Sequence, residues 1–302
     1  MEENLELAKN LQKVLDIAKN TPKEDLIFTY NGVMYPTMTC DVDTFKTIET
    51  FEAREEDLMM AAYPKCGSNW TISLLNSILY AVYKKEPSAF VPLIEFKAPD
   101  KFEKLKVESS PRVLGSHLHY DNIPQSFFNK KIKMLVVFRN PKDTAVSLFH
   151  FYNNNPMLPS YNSWDDFFPN FMAGKVVWGS YFDHAVAWNR HLDEYTVLLM
   201  TFEDMKEDLE GSVKKITEFL GIPITEEQVK QVAEKGTFKA MKDNSGKTHG
   251  SFGQIIFRKG DVGDWKNHFS EAQSKEMDEK FEECLAGTKL GEMLKYSVHC
   301  KW

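Results

Sequence analysis

The run Leu58-Met59-Met60-Ala61-Ala62-Tyr63 passes into Pro64-Lys65-Cys66-Gly67-Ser68-Asn69-Trp70 and then into an apolar helical pattern of Ile72, Leu74, Leu75, Ile78 and Leu79. A buried strand, a short loop and a helix in that order aim free backbone N–H groups and the positive end of a helix dipole at one spot, where an anion is stabilised. Lys65 adds a full charge there, Gly67 lets the backbone approach closely, and Ser68 and Asn69 add short polar contacts. Three further apolar runs, Arg112 to Ser116, Ile132 to Phe138 and Thr196 to Thr201, read as buried strands, with helical patterns between them. Strands separated by helices imply an α/β fold, a central parallel sheet flanked by helices, with ligands bound beyond the carboxyl ends of the strands.

Leu5, Ala8, Leu11, Leu15 and Ala18 recur at helical spacing and predict an amphipathic first helix. Asn31-Gly32 between Leu26–Tyr30 and Val33–Tyr35 predicts a tight hairpin closed by Pro36. Residues 153–178, rich in Asn, Pro and aromatics, are expected to form a lid over the sheet, and residues 239–263, with five glycines among Lys and Arg, an irregular stretch. No repeat or low-complexity linker divides the chain, so residues 1–302 are expected to form one domain, and 42% hydrophobic content suffices for its core.

The phosphate-binding loop is not that of a nucleotide hydrolase, which would read Gly-x4-Gly-Lys-Ser/Thr with its hydroxyl on Mg²⁺. Mg²⁺ sites of that class usually end an apolar strand in Asp, whereas Leu135-Val136-Val137-Phe138 ends in Arg139. A forked guanidinium binds phosphate oxygens directly, so no metal is required. Cys66 lacks the Arg of a Cys-x5-Arg phosphatase, since Ile72 stands there, and reads as a small loop side chain. His117 alone among eight histidines directly follows a buried strand at the sheet end where the anion loops converge, which makes it the best candidate general base.

A net charge of −7 argues against binding nucleic acid or an anionic membrane. An acidic Met1-Glu2-Glu3-Asn4 start, no apolar run near membrane-spanning length and four scattered cysteines lead to the expectation of a soluble, cytoplasmic protein.

Three blocks, Tyr63 to Trp70, Arg139 to Tyr152 and Phe257-Arg258-Lys259-Gly260-Asp261-Val262-Gly263-Asp264-Trp265-Lys266, together resemble the signature segments of the cytosolic sulfotransferases, in that family's order. Cys66 to Trp70 and Ser116-His117-Leu118-His119-Tyr120 resemble its family 6B branch. The resemblance implies transfer of a sulfuryl group from 3′-phosphoadenylyl sulfate (PAPS), leaving adenosine 3′,5′-bisphosphate (PAP), to a small hydrophobic phenol, alcohol or amine.

It places Lys65, Cys66, Gly67, Ser68, Asn69 and Trp70 on the 5′-phosphosulfate and Arg139, Ser147, Arg258, Lys259 and Gly260 on the 3′-phosphate, with Phe257 opening that last segment. Trp70 and Phe238 fall on the surfaces that sandwich adenine, with Thr237 and Met241 beside them, and Phe202 on a position near the nucleotide. His117 falls on the catalytic His, with Lys65 stabilising the leaving bridging oxygen, and Leu93, Phe96 and Phe151 fall on acceptor-pocket positions.

Four positions depart from the family. Gly115 and Ser116 replace a frequent Lys-Thr, His119 a frequent Pro, and Phe202 a common Tyr, so a cation and a hydroxyl are lost. Of the dimer motif only Lys266 is kept, with Ser270-Glu271 and Lys275 in place of its other elements, so a homodimer by that route is weakly supported. Two other readings remain at this level: a Mg²⁺-dependent nucleotide kinase or NTPase, disfavoured by Arg139, and a protein that binds the nucleotide without catalysis, suggested by Gly115 and Phe202.

Overall fold

Apolar runs without polar alternation form strands only where both faces of the sheet are covered, and all five residues of Leu58–Ala62 and all four of Val113–Ser116 are buried. The computed structural model describes residues 2–302 except 89–92, 99 and 195; the side chains of residues 2–8, 247 and 248, among them the predicted Leu5 and Ala8 positions, lie outside the description. Its strands are β1 (Ile27–Tyr30), β2 (Val33–Pro36), β3 (Leu58–Ala62), β4 (Val113–Ser116), β5 (Lys133–Phe138) and β6 (Val197–Thr201).

Strands β3 to β6 make one parallel sheet in the order β4-β3-β5-β6, with Leu58 opposite both Val113 and Lys133, and Phe138 opposite Thr201. The chain goes from β3 to its neighbour on one side and then crosses to its neighbour on the other, so the switch in winding direction falls at β3. Loops leaving adjacent strands part at such a point, and the crevice they open is where ligands of α/β sheets sit. The phosphate-binding loop leaves β3, His117 follows β4, Arg139 follows β5 and Phe202 follows β6.

Strands β1 and β2 pair antiparallel around Asn31 (φ 49°) and Gly32 (φ 79°), the two positive φ angles that a two-residue hairpin of matching twist requires. Pro36 does not close the unit from outside but pairs with Ile27 as its last residue. The buried apolar side chains form one main cluster running from Tyr35 to Cys300 and a small one of Leu15, Ala18, Leu26 and Met157, where the first helix, Glu2–Lys19, docks. No helix among the described residues is long and apolar enough to cross a membrane.

Two further expectations change. The stretch 239–263 is mostly helical, as Phe238–His249 and Phe252–Ile256. Thr237 caps the first helix by accepting from the Ala240 N–H, and Gly246 costs that helix too little to break it. The aromatic excursion is core rather than lid: Phe167, Phe168 and Phe171, on the helix Trp164–Met172, are all buried. Its far end, Trp178, reaches the carboxyl edge of the sheet, and the neighbouring Val177 bridges to Met34 of the hairpin.

Candidate active site

Between β3 and the helix Ser68–Tyr83 the loop takes two left-handed residues, Lys65 (φ 72°) and Gly67 (φ 112°). A side chain at 67 would also be strained against the Phe202 ring, 3.3 Å from where its Cβ would stand. The Lys65 ammonium lies 4.2 Å over the Phe151 ring, and its pKa is lowered to about 7 by burial first and then by the like charges of Arg139 and Arg258. The Ser68 hydroxyl is buried with no hydrogen-bond partner, while Asn69 is exposed. Burial pushes the Cys66 thiol up to about 12 and its sulfur sits 3.7 Å from the Thr144 hydroxyl, so it is a packing group and no nucleophile.

Arg139 leaves the end of β5 with its guanidinium 4.4 Å over the Phe202 ring. One terminal nitrogen donates to the Asp261 carbonyl at 2.8 Å, and Nε is buried without a partner. The Tyr181 hydroxyl donates to the Arg139 carbonyl at 2.7 Å and fixes its backbone. Asn140 caps the next helix, Pro141–Asn154, and is itself gripped by the buried Glu203, which accepts from its N–H at 3.0 Å and its amide at 2.7 Å. Thr144 and Phe151 of that helix touch Cys66 and Lys65. Half-buried Ser147, three residues after the one and four before the other, shares their face.

The segment 257–264 closes the same edge. Arg258 and Lys259 both donate to Asp264 at 2.6 Å; burial would raise that carboxyl, but the two cations outweigh it and hold it below the usual carboxylate range. Gly260 (φ 67°) lies against the Phe238 ring, which a Cβ there would meet at 2.2 Å. Phe238 in turn meets Phe257 at 6.2 Å. Trp70 stands edge-on to Phe202 at 5.2 Å and donates its ring N–H to the Gly236 carbonyl at 2.7 Å. Thr237 is exposed and Met241 half-buried at the start of the Phe238 helix. Asp143 ties this segment to β5: its carboxylate accepts from the backbone N–H groups of Gly263 at 2.7 Å and Trp265 at 3.0 Å.

His117 is 8% exposed, enough for one edge of its ring to reach a ligand. Its Nδ1 is 2.7 Å from the Ala62 carbonyl at the end of β3 and must donate to it, which leaves the lone pair of the neutral ring on Nε2. Burial lowers its pKa most strongly, and Lys65 adds to this against the raising effects of Glu95 and the Ala62 carbonyl. Trp178 packs edge-on to the imidazole at 5.3 Å. Buried Glu95 accepts from the His117 backbone N–H at 2.8 Å and so fixes the turn that carries the ring. His119 does not continue the strand face toward the site, because β4 ends at Ser116 and the His119 Nε2 is taken by the Trp178 carbonyl at 3.1 Å.

Of the residues expected to line an acceptor pocket, Phe151 lies beside Lys65, and Phe96 is half-buried 6.1 Å from the Trp178 ring. Leu93 is buried and bridges to Gly115, where it covers the sheet edge. At Gly115 an added Cβ would meet Leu93 at 3.0 Å, Met60 at 3.1 Å and Ile72 at 3.2 Å, so this position is filled by apolar neighbours. Glu95, Asp143 and Glu203 escaped the sequence reading. Asp143 had one signal, an acid in the first turn of a helix, but that pattern usually marks a solvated dipole partner.

The sulfotransferase domain family matches residues 55–289. This chain belongs to the sulfotransferase family. The sulfotransferase is 50% identical to human Sulfotransferase 6B1 over 292 residues, covering 96% of each chain, and 49% identical to mouse Sulfotransferase 6B1 over 291 residues with the same coverage. Both likenesses bear out the resemblance to the 6B branch. It also resembles the crystal structure of mouse sulfotransferase SULT7A1 complexed with PAP, with a TM-score of 0.82 and 35% identity over 91% of this chain and all of that one. Enzymes of this family take their sulfuryl group from PAPS and leave PAP. The residues fit such a nucleotide: three cations gather at the sheet edge, and two buried polar groups there, the Ser68 hydroxyl and the Arg139 Nε, have no protein partner.

Proposed function

We propose that this sulfotransferase moves the sulfuryl group of PAPS to the hydroxyl or amine of a small hydrophobic acceptor, with His117 as general base. The observation that carries the reading is the gathering of Lys65, Arg139 and Arg258, close enough that, after burial, the two arginine charges further lower the Lys65 pKa, beside a histidine whose Nε2 keeps its lone pair. Like charges brought together at a strand edge are stabilised by a polyanion. The loop 65–70 would hold the 5′-phosphosulfate, and Arg139, Ser147 and the 258–260 segment the 3′-phosphate. Trp70 and Phe238, with Thr237 and Met241, would flank the base.

His117 Nε2 takes the acceptor proton as the acceptor oxygen or nitrogen bonds to sulfur. The bond from sulfur to the bridging oxygen breaks, and that oxygen leaves with the electron pair on PAP. Lys65 stabilises the charge growing there and needs no reorganisation to do so. Phe96, Phe151 and Trp178 supply apolar walls around the base, which suits a phenol or hydrophobic alcohol. The four cysteines are free thiols, which supports a reducing, cytosolic place of work.

The test is transfer of labelled sulfate to a library of phenols, alcohols and amines without added metal. His117→Ala is expected to lower turnover about 10²–10⁴-fold, the usual contribution of a general base, and to keep PAP affinity near that of the wild type. PAP binding with no turnover on any acceptor would instead favour the binding-protein reading, and undiminished turnover in the variant would remove His117 from the chemistry.

A further inference from the structure

We propose that His150, Asp264 and His268 form a binding site for a nitrogen-preferring divalent transition metal, Zn²⁺ foremost. Their ligand atoms, drawn from the helix Pro141–Asn154 and from the turn that follows Gly263, all lie within 4.8 Å of one another. The two Nε2 atoms are 3.2 Å apart, and His268 Nε2 is 3.9 Å from Asp264 Oδ2. Tetrahedral zinc with bonds of about 2.0–2.1 Å sets neighbouring ligand atoms roughly 3.3 Å apart. The imidazole pair already has that spacing, and the carboxylate must close on it, from 3.9 Å at His268 and from within 4.8 Å at His150.

Two Nε2 atoms at this distance cannot both carry a proton, so one ring presents a lone pair and the other donates to it. A bound metal replaces that bridging proton, and the donating ring passes to its Nδ1–H tautomer. Asp264 Oδ2 also accepts from Arg258 at 2.6 Å, and a carboxylate oxygen keeps a second lone pair for a metal. Oδ1 is held by Lys259 at 2.6 Å and by the Asn267 amide at 3.0 Å, which fix the plane of the carboxylate as outer-shell partners do. Aromatic rings steady the His268 imidazole, with Trp164 at 5.9 Å and Phe149 at 6.5 Å, and both histidines are half-buried, which leaves a route from solvent.

The donor set selects the metal. Two imidazoles and one carboxylate suit Zn²⁺ or Co²⁺ over Mg²⁺ or Ca²⁺, which take oxygen ligands. Arg258 and Lys259 weaken the site by sharing Asp264. Three protein ligands leave at least one position to water.

The test uses the full-length chain, stripped of metal and dialysed against Zn²⁺, with elemental analysis, and in parallel a Co²⁺ titration followed by visible absorption. About one metal per chain and the intense bands of tetrahedral cobalt are expected. His150→Gln/His268→Gln should weaken binding by more than about tenfold, since even loss of an outer-shell partner costs that much, and should abolish the cobalt bands with near-ultraviolet circular dichroism unchanged. His191→Gln, at an imidazole paired with Glu194 elsewhere, should bind like the wild type. Should the double variant not fold, His268→Gln alone is read in the same way. Substoichiometric Zn²⁺ in the wild type, or equal binding in the folded variants, overturns the proposal.

Discussion

Lys65 should take up a proton when the enzyme binds PAP. Its pKa of about 7 in the free protein, against an ordinary 10.5, means that at pH 8.5 only roughly 3% of the ammonium is protonated. A phosphate charge about 4 Å away at an effective dielectric near 20 contributes about 4 kcal/mol, or about 3 pKa units, which returns the lysine to near 10. Binding at pH 8.5 should therefore absorb close to one proton, and affinity should fall about tenfold per pH unit between pH 8 and 9. The sign follows from the cation being the form that grips the ligand: raising pH through the free-protein value removes it. Titration calorimetry of PAP in two buffers of different ionisation enthalpy counts the proton directly. Lys65→Met should bind more weakly at pH 7, show no uptake and lose the pH dependence. Uptake near zero in the wild type, or unchanged uptake in Lys65→Met, would mean that Lys65 is not the group PAP protonates.

Two further substitutions probe how the site is held. Gly260→Ala forces a Cβ into the Phe238 ring at a left-handed φ, so PAP affinity measured by calorimetry should fall by about 1–3 kcal/mol, the usual cost of overpacking; unchanged affinity would mean that this contact plays no part in nucleotide binding. Asp143→Asn removes one of the two oxygens that hold the Gly263 and Trp265 N–H groups, and should cost about 2–3 kcal/mol of stability in urea unfolding, as charged hydrogen bonds do. A variant as stable as the wild type would show that the 263–265 turn is anchored elsewhere.

The sheet was legible because four apolar runs had no competing pattern, and each of its four strands lies within a run marked from sequence. The hairpin was legible because Asn31-Gly32 admits few backbone alternatives. The helix Phe238–His249 was hidden by Gly246 and by its charge, although Thr237, its cap, stood in plain view. Residues 153–178 looked like a lid because aromatic richness does not say which way rings point. Lys65, Arg139 and His117 could be placed because each directly follows or nearly follows a strand end. Glu95 could not, since its loop has no periodicity and its bond to His117 spans 22 positions. The pairing of His150 with His268, 118 positions apart, leaves no local trace either.

The carbonyl that orients His117 belongs to Ala62, the last residue of the strand from which the Lys65 loop departs. Whatever shifts the root of that loop carries the imidazole with it, so in the proposed reaction the alignment of proton acceptor and leaving group would be set at a common pivot. A substitution that loosens this pivot should degrade both half-sites together, whereas damage at the rim of the acceptor cavity should alter selectivity and spare the reaction coordinate.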